Sequence, residues 1–144
     1  RDALGDDLYN KIFKFSFVRN PYSRAVSSWR FTTFKMGQSF RDFCIDLKDR
    51  GTCESFASWH CSEQYQQLYD LSGNLIVDFV GKLESYQDDF NTVCDRIKIP
   101  RHRLPHKNKT NHKHYTEYYD SMSRDLVAEK YAKDIEYFGY EFGE

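Results

Sequence analysis

The sequence predicts an α/β fold in which a parallel sheet is flanked by helices. Two short β-prone apolar runs, residues 13–18 and 75–80, are separated by amphipathic helical segments, an alternation typical of parallel strand pairing. The 144 residues fit a single domain over 1–144, which can bury a core without a metal or disulfide scaffold. Two strong strands are few for such a sheet. We therefore expect that the domain is partial, truncated at its N-terminus.

Local patterns place the elements of the first half of the chain. Leu4, Leu8 and Ile12 recur every four positions and predict a helix over 3–12. The β-prone run that follows predicts a mostly buried strand over 13–18. Asn20 suits a helix N-cap and Pro21 the first helical position. One face of that helix would be apolar: Tyr22, Ala25, Val26, Trp29 and Thr33.

A second capped helix follows. Ser39 and Asp42 predict a capping box, and Gly51 would end this helix. Its apolar positions are Phe40, Phe43, Cys44 and Leu47.

The second half predicts a hairpin and two helices. Residues 65–70 and 75–80 flank a Ser-Gly-Asn turn, which favours a hairpin. Ser85 with Asp88 predicts another capping box, for a helix whose inward residues are Tyr86, Phe90, Val93, Cys94 and Ile97. Residues 100–114 read as loop. One last helix is expected from Asp120 to Gly139, with these residues inward: Met122, Leu126, Val127, Tyr131, Ile135 and Phe138.

Composition excludes two classes of protein. The net charge of −1 excludes a nucleic-acid-binding protein that is basic overall, although not a local basic patch. No apolar run approaches the ~18 residues of a membrane span. The four cysteines have no C-x-x-C spacing, which disfavours a zinc ribbon. Cys44 and Cys53 could pair in the secretory pathway, and free thiols are the equally supported alternative.

The junction between the first strand and the next helix is the first candidate site. Arg19 ends the strand, and Ser23, Arg24 and Ser27 follow in the helix. A helix N-terminus exposes backbone N–H groups and a partial positive charge, so the segment suits a phosphate or sulfate dianion. The alternative is that Arg19 pairs with an acidic neighbour and the serines only cap.

A basic loop is the second candidate. Residues 99–116 hold five Lys or Arg, no Asp or Glu, and four of the five histidines. Such a loop suits a second anion or a polyanionic partner, but a solvated surface loop is equally well supported. The histidine spacing offers only weak support for a metal site. A third segment, Trp59 to Gln64, could contact a sugar or position a general base. A tryptophan such as Trp59, taken alone, is more often a residue of the hydrophobic core.

Phe17-Val-Arg-Asn-Pro-Tyr-Ser-Arg-Ala-Val-Ser27 resembles the 3′-phosphate-binding segment of sulfotransferases that use 3′-phosphoadenosine 5′-phosphosulfate (PAPS). It is most similar to the carbohydrate group, which includes the chondroitin, HNK-1 and heparan sulfate 2-O enzymes and bacterial relatives. Residues 77–84, 104–110 and 131–140 resemble later family segments in the same order. The resemblance implies a P-loop-like sulfotransferase fold and a PAPS donor, without a metal.

The resemblance also implies roles for single residues. Arg19 and Ser27, eight residues apart, match the arginine and serine that hold the 3′-phosphate. A late loop that closes over the nucleotide makes four residues candidate donor contacts: Lys107, Asn108, Lys109 and Thr110. Trp59 and Gln64 match a region near the acceptor.

One half of the family pattern does not appear. We find no lysine-bearing loop for the 5′-phosphosulfate. The histidine proposed as the base in the heparan sulfate 2-O enzyme would precede Arg1, so no catalytic residue is assigned. We expect the chain to be a fragment, and the alternative is a natural short paralogue without activity. Whether this chain alone is active stays open. The resemblance implies in-line transfer of a sulfuryl group to a carbohydrate hydroxyl, with no nucleic-acid partner.

Two questions stay open at this point. The Golgi lumen fits a eukaryotic carbohydrate enzyme, whereas the cytoplasm fits a bacterial one. The alternative function is a non-catalytic anion- or glycan-binding module that uses the basic loop 101–114.

Overall fold

The computed structural model describes residues 5–32, 37–49, 60–105 and 113–144. The strands are β1 (Phe15–Val18) and β2 (Phe79–Lys82). The helices are α1 (Asp6–Lys11), α2 (Pro21–Thr32), α3 (Phe40–Asp49), α4 (Tyr65–Leu68), α5 (Tyr86–Ile97), α6 (Ser121–Lys130) and α7 (Ala132–Phe138). Short 3₁₀ turns cover Leu83–Ser85 and Tyr115–Tyr118. Within these ranges, no helix combines the length and the apolar character that a membrane crossing requires.

The chain divides into two compact units. The first comprises Arg1–Val18 and Leu68–Pro105, and the second Arg19–Gln67 and His106–Glu144. The first unit contains both strands, and the second contains the larger helical core.

The first unit is built on a two-stranded parallel sheet. β1 and β2 pair in register, from Phe15 opposite Phe79 to Val18 opposite Lys82. The predicted α/β class with parallel pairing and flanking helices is therefore confirmed. Gly81 lies where a Cβ atom would be 2.5 Å from the ring of Phe17, so only glycine fits this position on β2 without displacing that ring.

The turn from β2 into α5 differs from its prediction. The helix itself is confirmed, but Ser85 makes no side-chain cap with Asp88. Instead, Asp89 accepts hydrogen bonds from the backbone N–H of Lys82 (2.6 Å) and the hydroxyl of Ser85 (2.7 Å). The 3₁₀ turn over Leu83–Ser85 runs directly into the helix, and this leaves Ser85 in a conformation that does not cap.

Neither arm of the predicted hairpin forms over its predicted range, since of residues 75–80 only 79–80 lie in a strand, β2, which pairs in parallel with β1. Residues 65–68 form the short helix α4, and only a single antiparallel bridge joins Tyr69 to Leu75. The turn itself is as predicted, since Gly73 has a φ of 79° and its N–H bonds to the carbonyl of Asp70 (3.0 Å). The Asp70 side chain also accepts from the N–H of Ser72 and of Asn74.

The second unit has a core formed mainly by α2, α3, α6 and an aromatic cluster. The predicted inward residues of α2 and α3 are buried, apart from Thr33, which lies outside the described residues. The buried residues of this core are Tyr22, Ala25, Val26, Trp29, Phe40, Phe43, Cys44, Leu47, Tyr115, Val127 and Tyr131. Burial raises the pKa of the Cys44 thiol to about 12.

Both predicted caps in this unit are present. Asn20 is fully buried, and its Oδ1 accepts from the backbone N–H of Tyr22 (3.0 Å) at the start of α2. Its Nδ2 donates to the carbonyl of Glu141 (3.0 Å). Ser39 accepts from the N–H of Asp42 (3.1 Å) at the start of α3, whereas the end predicted at Gly51 lies outside the described residues.

The predicted last helix is two helices. Asp120 caps α6 as expected, and α7 ends at Gly139, whose φ is 61°. Between them Tyr131 leaves helical dihedrals (φ −111°, ψ 28°), although its N–H and C=O still bond as they would in a helix. Met122, predicted to point inward, is 41% exposed.

Candidate functional site

Three polar side chains lie in the first part of α2 or just before it. Ser23 and Ser27 are four residues apart on one side of the helix, and Arg19 precedes the helix by two residues. The guanidinium of Arg19 donates two hydrogen bonds to the Ser23 hydroxyl, from Nε (3.0 Å) and from Nη2 (2.8 Å). Arg19 is half-buried and Ser27 is exposed, so this side chain set faces solvent.

The backbone N–H groups at the start of α2 are not open to a ligand, contrary to the expectation from the sequence. Oδ1 of Asn20 accepts from the N–H groups of Tyr22 (3.0 Å) and Ser23 (3.5 Å). Pro21 has no N–H to offer. An anion here would therefore be bound by side chains, and the partial positive charge at the N-terminus of α2 would add to the attraction.

The backbone of Arg19 is fixed by Gln64. The N–H of Arg19 donates to Oε1 of Gln64 (2.9 Å), and Nε2 of Gln64 donates to the carbonyl of Arg19 (2.9 Å). The side-chain amide of Gln64 therefore bonds to the backbone of Arg19 as a residue of a neighbouring β-strand would. Gln64 thus has a structural role, and its contact with an acceptor stays a prediction.

Asp134 fixes Gln64 in turn. Its carboxylate, fully buried on α7, accepts from the backbone N–H of Gln64 (2.9 Å) and of Tyr65 (2.8 Å). Nε2 of Gln64 lies 3.3 Å from the same carboxylate. These bonds occupy the N–H groups that begin α4, which explains why the residues form a helical turn and not the predicted strand.

Segment 60–65, defined as His60 to Tyr65, is held by further side chains of the second unit. The hydroxyl of Ser28 donates to the carbonyl of His60 (3.0 Å), and Arg24 donates to that of Ser62 (2.6 Å). The hydroxyl of Tyr131 donates to the carbonyl of Cys61 (2.9 Å). The segment therefore forms a fixed support beside α2.

Sequence reasoning missed Asp134, although one pattern could have found it. Asp134 lies three residues after Tyr131 and four before Phe138, both predicted to point inward. An acidic residue on the apolar face of a helix requires a hydrogen-bonded partner when it is buried. That partner is segment 60–65.

The remaining predicted site residues lie outside the described residues. These are Trp59, Lys107, Asn108, Lys109 and Thr110. Of the basic loop, Arg101 forms an ion pair with Asp95 at 2.6 Å, and Asp95 has a lowered pKa because of that hydrogen bond. The described residues contain no group of three potential metal ligands. Cys44, Cys61 and Cys94 are free thiols, and Cys53 is not described.

A family profile described as "Sulfotransferase family" matches residues 2–141, nearly the whole chain. This chain belongs to the sulfotransferase family. No curated protein and no solved structure matches it. The small parallel sheet with flanking helices is consistent with a sulfotransferase fold.

The described side chains of this sulfotransferase can bind a tetrahedral anion. A guanidinium donates charge-assisted hydrogen bonds, which are roughly twice as strong as neutral ones. The Ser23 hydroxyl accepts from Arg19, so its own proton is available to a ligand oxygen. No hydrogen-bond partner of the Ser27 side chain occurs among the described residues.

Proposed function

We propose that this sulfotransferase uses PAPS as its donor and transfers the sulfuryl group to a carbohydrate hydroxyl. The observation that carries the proposal is the contact of the Arg19 guanidinium with Ser23, which lies one helical turn before Ser27 on α2. Arg19 is held there through its guanidinium by Ser23 and through its backbone by Gln64. The carbohydrate acceptor rests on the resemblance of residues 17–27 to the carbohydrate enzymes.

The hydrogen-bond donors of Arg19, Ser23 and Ser27 fit the 3′-phosphate of such a nucleotide. One guanidinium and two hydroxyls offer positive charge and donors to several oxygens of one dianion. Pre-fixed side chains lose less conformational entropy when a ligand binds, which favours affinity. Residues 107–110 are proposed as further donor contacts, on the basis of the resemblance alone.

The nucleotide, when bound, supplies the sulfuryl group. Arg19, Ser23 and Ser27 would anchor it at its phosphate end and fix its orientation. Positioning of this kind accounts for much of the rate enhancement in transfer between oxygen atoms. The general base for the acceptor hydroxyl is not assigned.

The test is a calorimetric titration with 3′-phosphoadenosine 5′-phosphate (PAP), with 5′-AMP as the ligand that lacks the 3′-phosphate. We expect PAP to bind more tightly than 5′-AMP. Arg19→Ala should weaken PAP binding by about 1.5–3 kcal/mol, the range for a hydrogen bond to a charged group. Arg41→Ala is the matched control, because Arg41 is an exposed arginine on α3.

Equal affinity for the two nucleotides, or equal affinity of PAP for wild type and Arg19→Ala, would refute the assignment of the phosphate site. A carbohydrate acceptor is tested separately, by transfer of labelled sulfate from PAPS to glycan chains. Transfer to a non-carbohydrate hydroxyl alone would retain the donor site and reject the acceptor class.

A further inference from the structure

Segment 134–144, defined as Asp134 to Glu144, reaches the candidate phosphate site at two consecutive residues. Its first contact is made by the carboxylate of Asp134, which is fully buried and accepts from the backbone N–H of Gln64 at 2.9 Å. Gln64 in turn bonds to the N–H and to the C=O of Arg19, each at 2.9 Å. The position of the Arg19 backbone therefore depends on a carboxylate that is itself closed off from solvent.

The second contact is made by Glu141 and ends at Asn20. The carbonyl of Glu141 accepts from Nδ2 of Asn20 at 3.0 Å. A carbonyl can only accept, so it directs the NH2 end of this amide towards segment 134–144 and the oxygen end towards α2. Oδ1 of Asn20 then accepts from the N–H of Tyr22 at 3.0 Å. Glu141 thus fixes the orientation in which Asn20 caps α2.

Aromatic side chains hold residues 141–144 in place. The ring of Phe142 lies edge-on to the ring of Tyr22, with centroids 5.0 Å apart, and to the ring of Tyr115, with centroids 5.8 Å apart. The hydroxyl of Tyr115 also accepts from the backbone N–H of Gly143 at 2.6 Å. Edge-to-face aromatic pairs are favourable beyond the area that they bury, so Phe142 anchors the stretch that carries the Glu141 carbonyl.

We propose that segment 134–144 positions the guanidinium of Arg19 for the 3′-phosphate, through one contact at Arg19 and one at Asn20. Asp134 and Phe142 are positioning residues, because each acts through another residue and not on the ligand. The inference rests on the proposed function, since it requires the phosphate to bind at Arg19. A pre-fixed group loses less conformational entropy on binding, so loosening either contact weakens the phosphate interaction without removing a group that touches it.

The experiment measures the affinities of PAP and of 5′-AMP by calorimetry, on the whole chain and its variants. Asp134→Asn replaces one acceptor oxygen by an NH2 group, which cannot accept from a backbone N–H. Phe142→Ala removes the aromatic anchor. Each variant should weaken PAP binding by about 2- to 10-fold, the equivalent of one neutral hydrogen bond, and should leave the affinity for 5′-AMP unchanged.

Two matched controls separate positioning from stability. Asp125→Asn makes the same substitution at an exposed residue of α6, whose carboxylate lies 3.5 Å from Arg124. Phe43→Ala removes a ring of the same core from α3, where Phe43 is 4% exposed, and should lower the melting temperature at least as much as Phe142→Ala does. Both controls should bind PAP as wild type does. Each titration is run at a temperature at which circular dichroism shows the variant to be folded.

A double-mutant cycle identifies the residue through which Asp134 acts. In Arg19→Ala, the guanidinium that the segment positions is already absent. Asp134→Asn introduced into Arg19→Ala should therefore cause little further loss of PAP affinity, whereas two independent effects would add.

The other outcomes each reject a specific statement. If Asp134→Asn and Phe142→Ala bind PAP as wild type does, or weaken PAP and 5′-AMP equally, the segment only stabilises the fold and the proposal is overturned, while the proposed function stands. Additive losses in the double mutant with Arg19→Ala would overturn it as well. If Phe142→Ala does not fold, Asp134→Asn and its cycle decide. If wild type does not distinguish PAP from 5′-AMP, the proposed function fails and the positioning proposal fails with it.

Discussion

Removal of the Gln64 side chain should both destabilise the protein and weaken the phosphate site. In Gln64→Ala, the N–H and the C=O of Arg19 lose their two bonds of 2.9 Å. A typical neutral hydrogen bond contributes about 0.5–1.5 kcal/mol net, so the two together predict a loss of about 1–3 kcal/mol in the free energy of unfolding. Urea denaturation measures it as a lower midpoint with an unchanged slope.

PAP affinity should fall in the same variant, but less than in Arg19→Ala. The guanidinium remains bonded to Ser23, while the backbone that carries it is no longer held by the Gln64 amide. Gln64→Glu separates the two bonds, because a carboxylate can accept from the N–H of Arg19 but cannot donate to its carbonyl. It also places a second carboxylate beside Asp134, so we expect it to be at least as destabilising at neutral pH.

Gln67→Ala is the matched control for this experiment. Gln67 has the same side chain, is exposed, and makes one bond of 3.3 Å to Ser62. Its removal should change stability by less than about 0.5 kcal/mol, as for most surface substitutions. If Gln64→Ala costs no more than Gln67→Ala, Gln64 does not fix Arg19, and the argument for a pre-fixed site is refuted.

Three further outcomes are expected. Asn20→Ala should lower stability by about 1–2 kcal/mol in thermal melts, through loss of the cap on α2; a wild-type melting temperature would contradict this. Gly81→Ala should cost about 1–3 kcal/mol in urea, since its Cβ would lie 2.5 Å from the Phe17 ring; an unchanged midpoint would show that the ring moves freely. Burial raises the pKa of Cys44 from 9.0 to about 12, so the unfolded chain loses this proton first as pH rises, and the free energy of unfolding falls between these values. In Cys44→Ala the free energy of unfolding should fall less steeply with pH. Equal slopes for the variant and wild type would count against burial of Cys44 as the cause.

The local rules of the sequence predicted the elements that depend on neighbouring residues. The cap at Asn20 with Pro21, and the cap at Ser39, are present because a short polar side chain and the following N–H groups are all that they require. A strand over 13–18 was predicted in the same way, from a run of β-prone apolar residues, and β1 forms at Phe15–Val18.

The helical turn at 65–68, which was predicted as a strand, depends on a distant partner. Residues 65–68 have strand-like composition, yet they form a helical turn because Asp134, 69 residues after Tyr65, accepts from its N–H. Gln64 bonds to Arg19 across 45 residues. No pattern within a window of one helix or strand contains either pairing, so propensity alone could not predict them.

The candidate site shows the same division. The resemblance proposed Arg19 and Ser27, and this assignment stays a prediction, whereas the sequence argument also assumed backbone donors that Asn20 in fact occupies. It did not foresee the bonds that join Gln64 to Arg19 and Asp134, and the proposed contact of Gln64 with an acceptor stays a prediction. What could not be predicted was which polar groups satisfy one another in the folded chain.

The bond between Asn20 and Glu141 has a consequence for synthesis. During translation, the residues that begin α2 are made 121 positions before the carbonyl that accepts from Asn20. The aromatic ring of Phe142, which lies 5.0 Å from that of Tyr22, arrives equally late. A nascent chain therefore carries Arg19 and Ser27 long before the buried amide beside them has its partner. Contacts this distant in sequence form slowly, so binding at the proposed site would report completion of the folded unit and not merely the presence of Arg19 and Ser27.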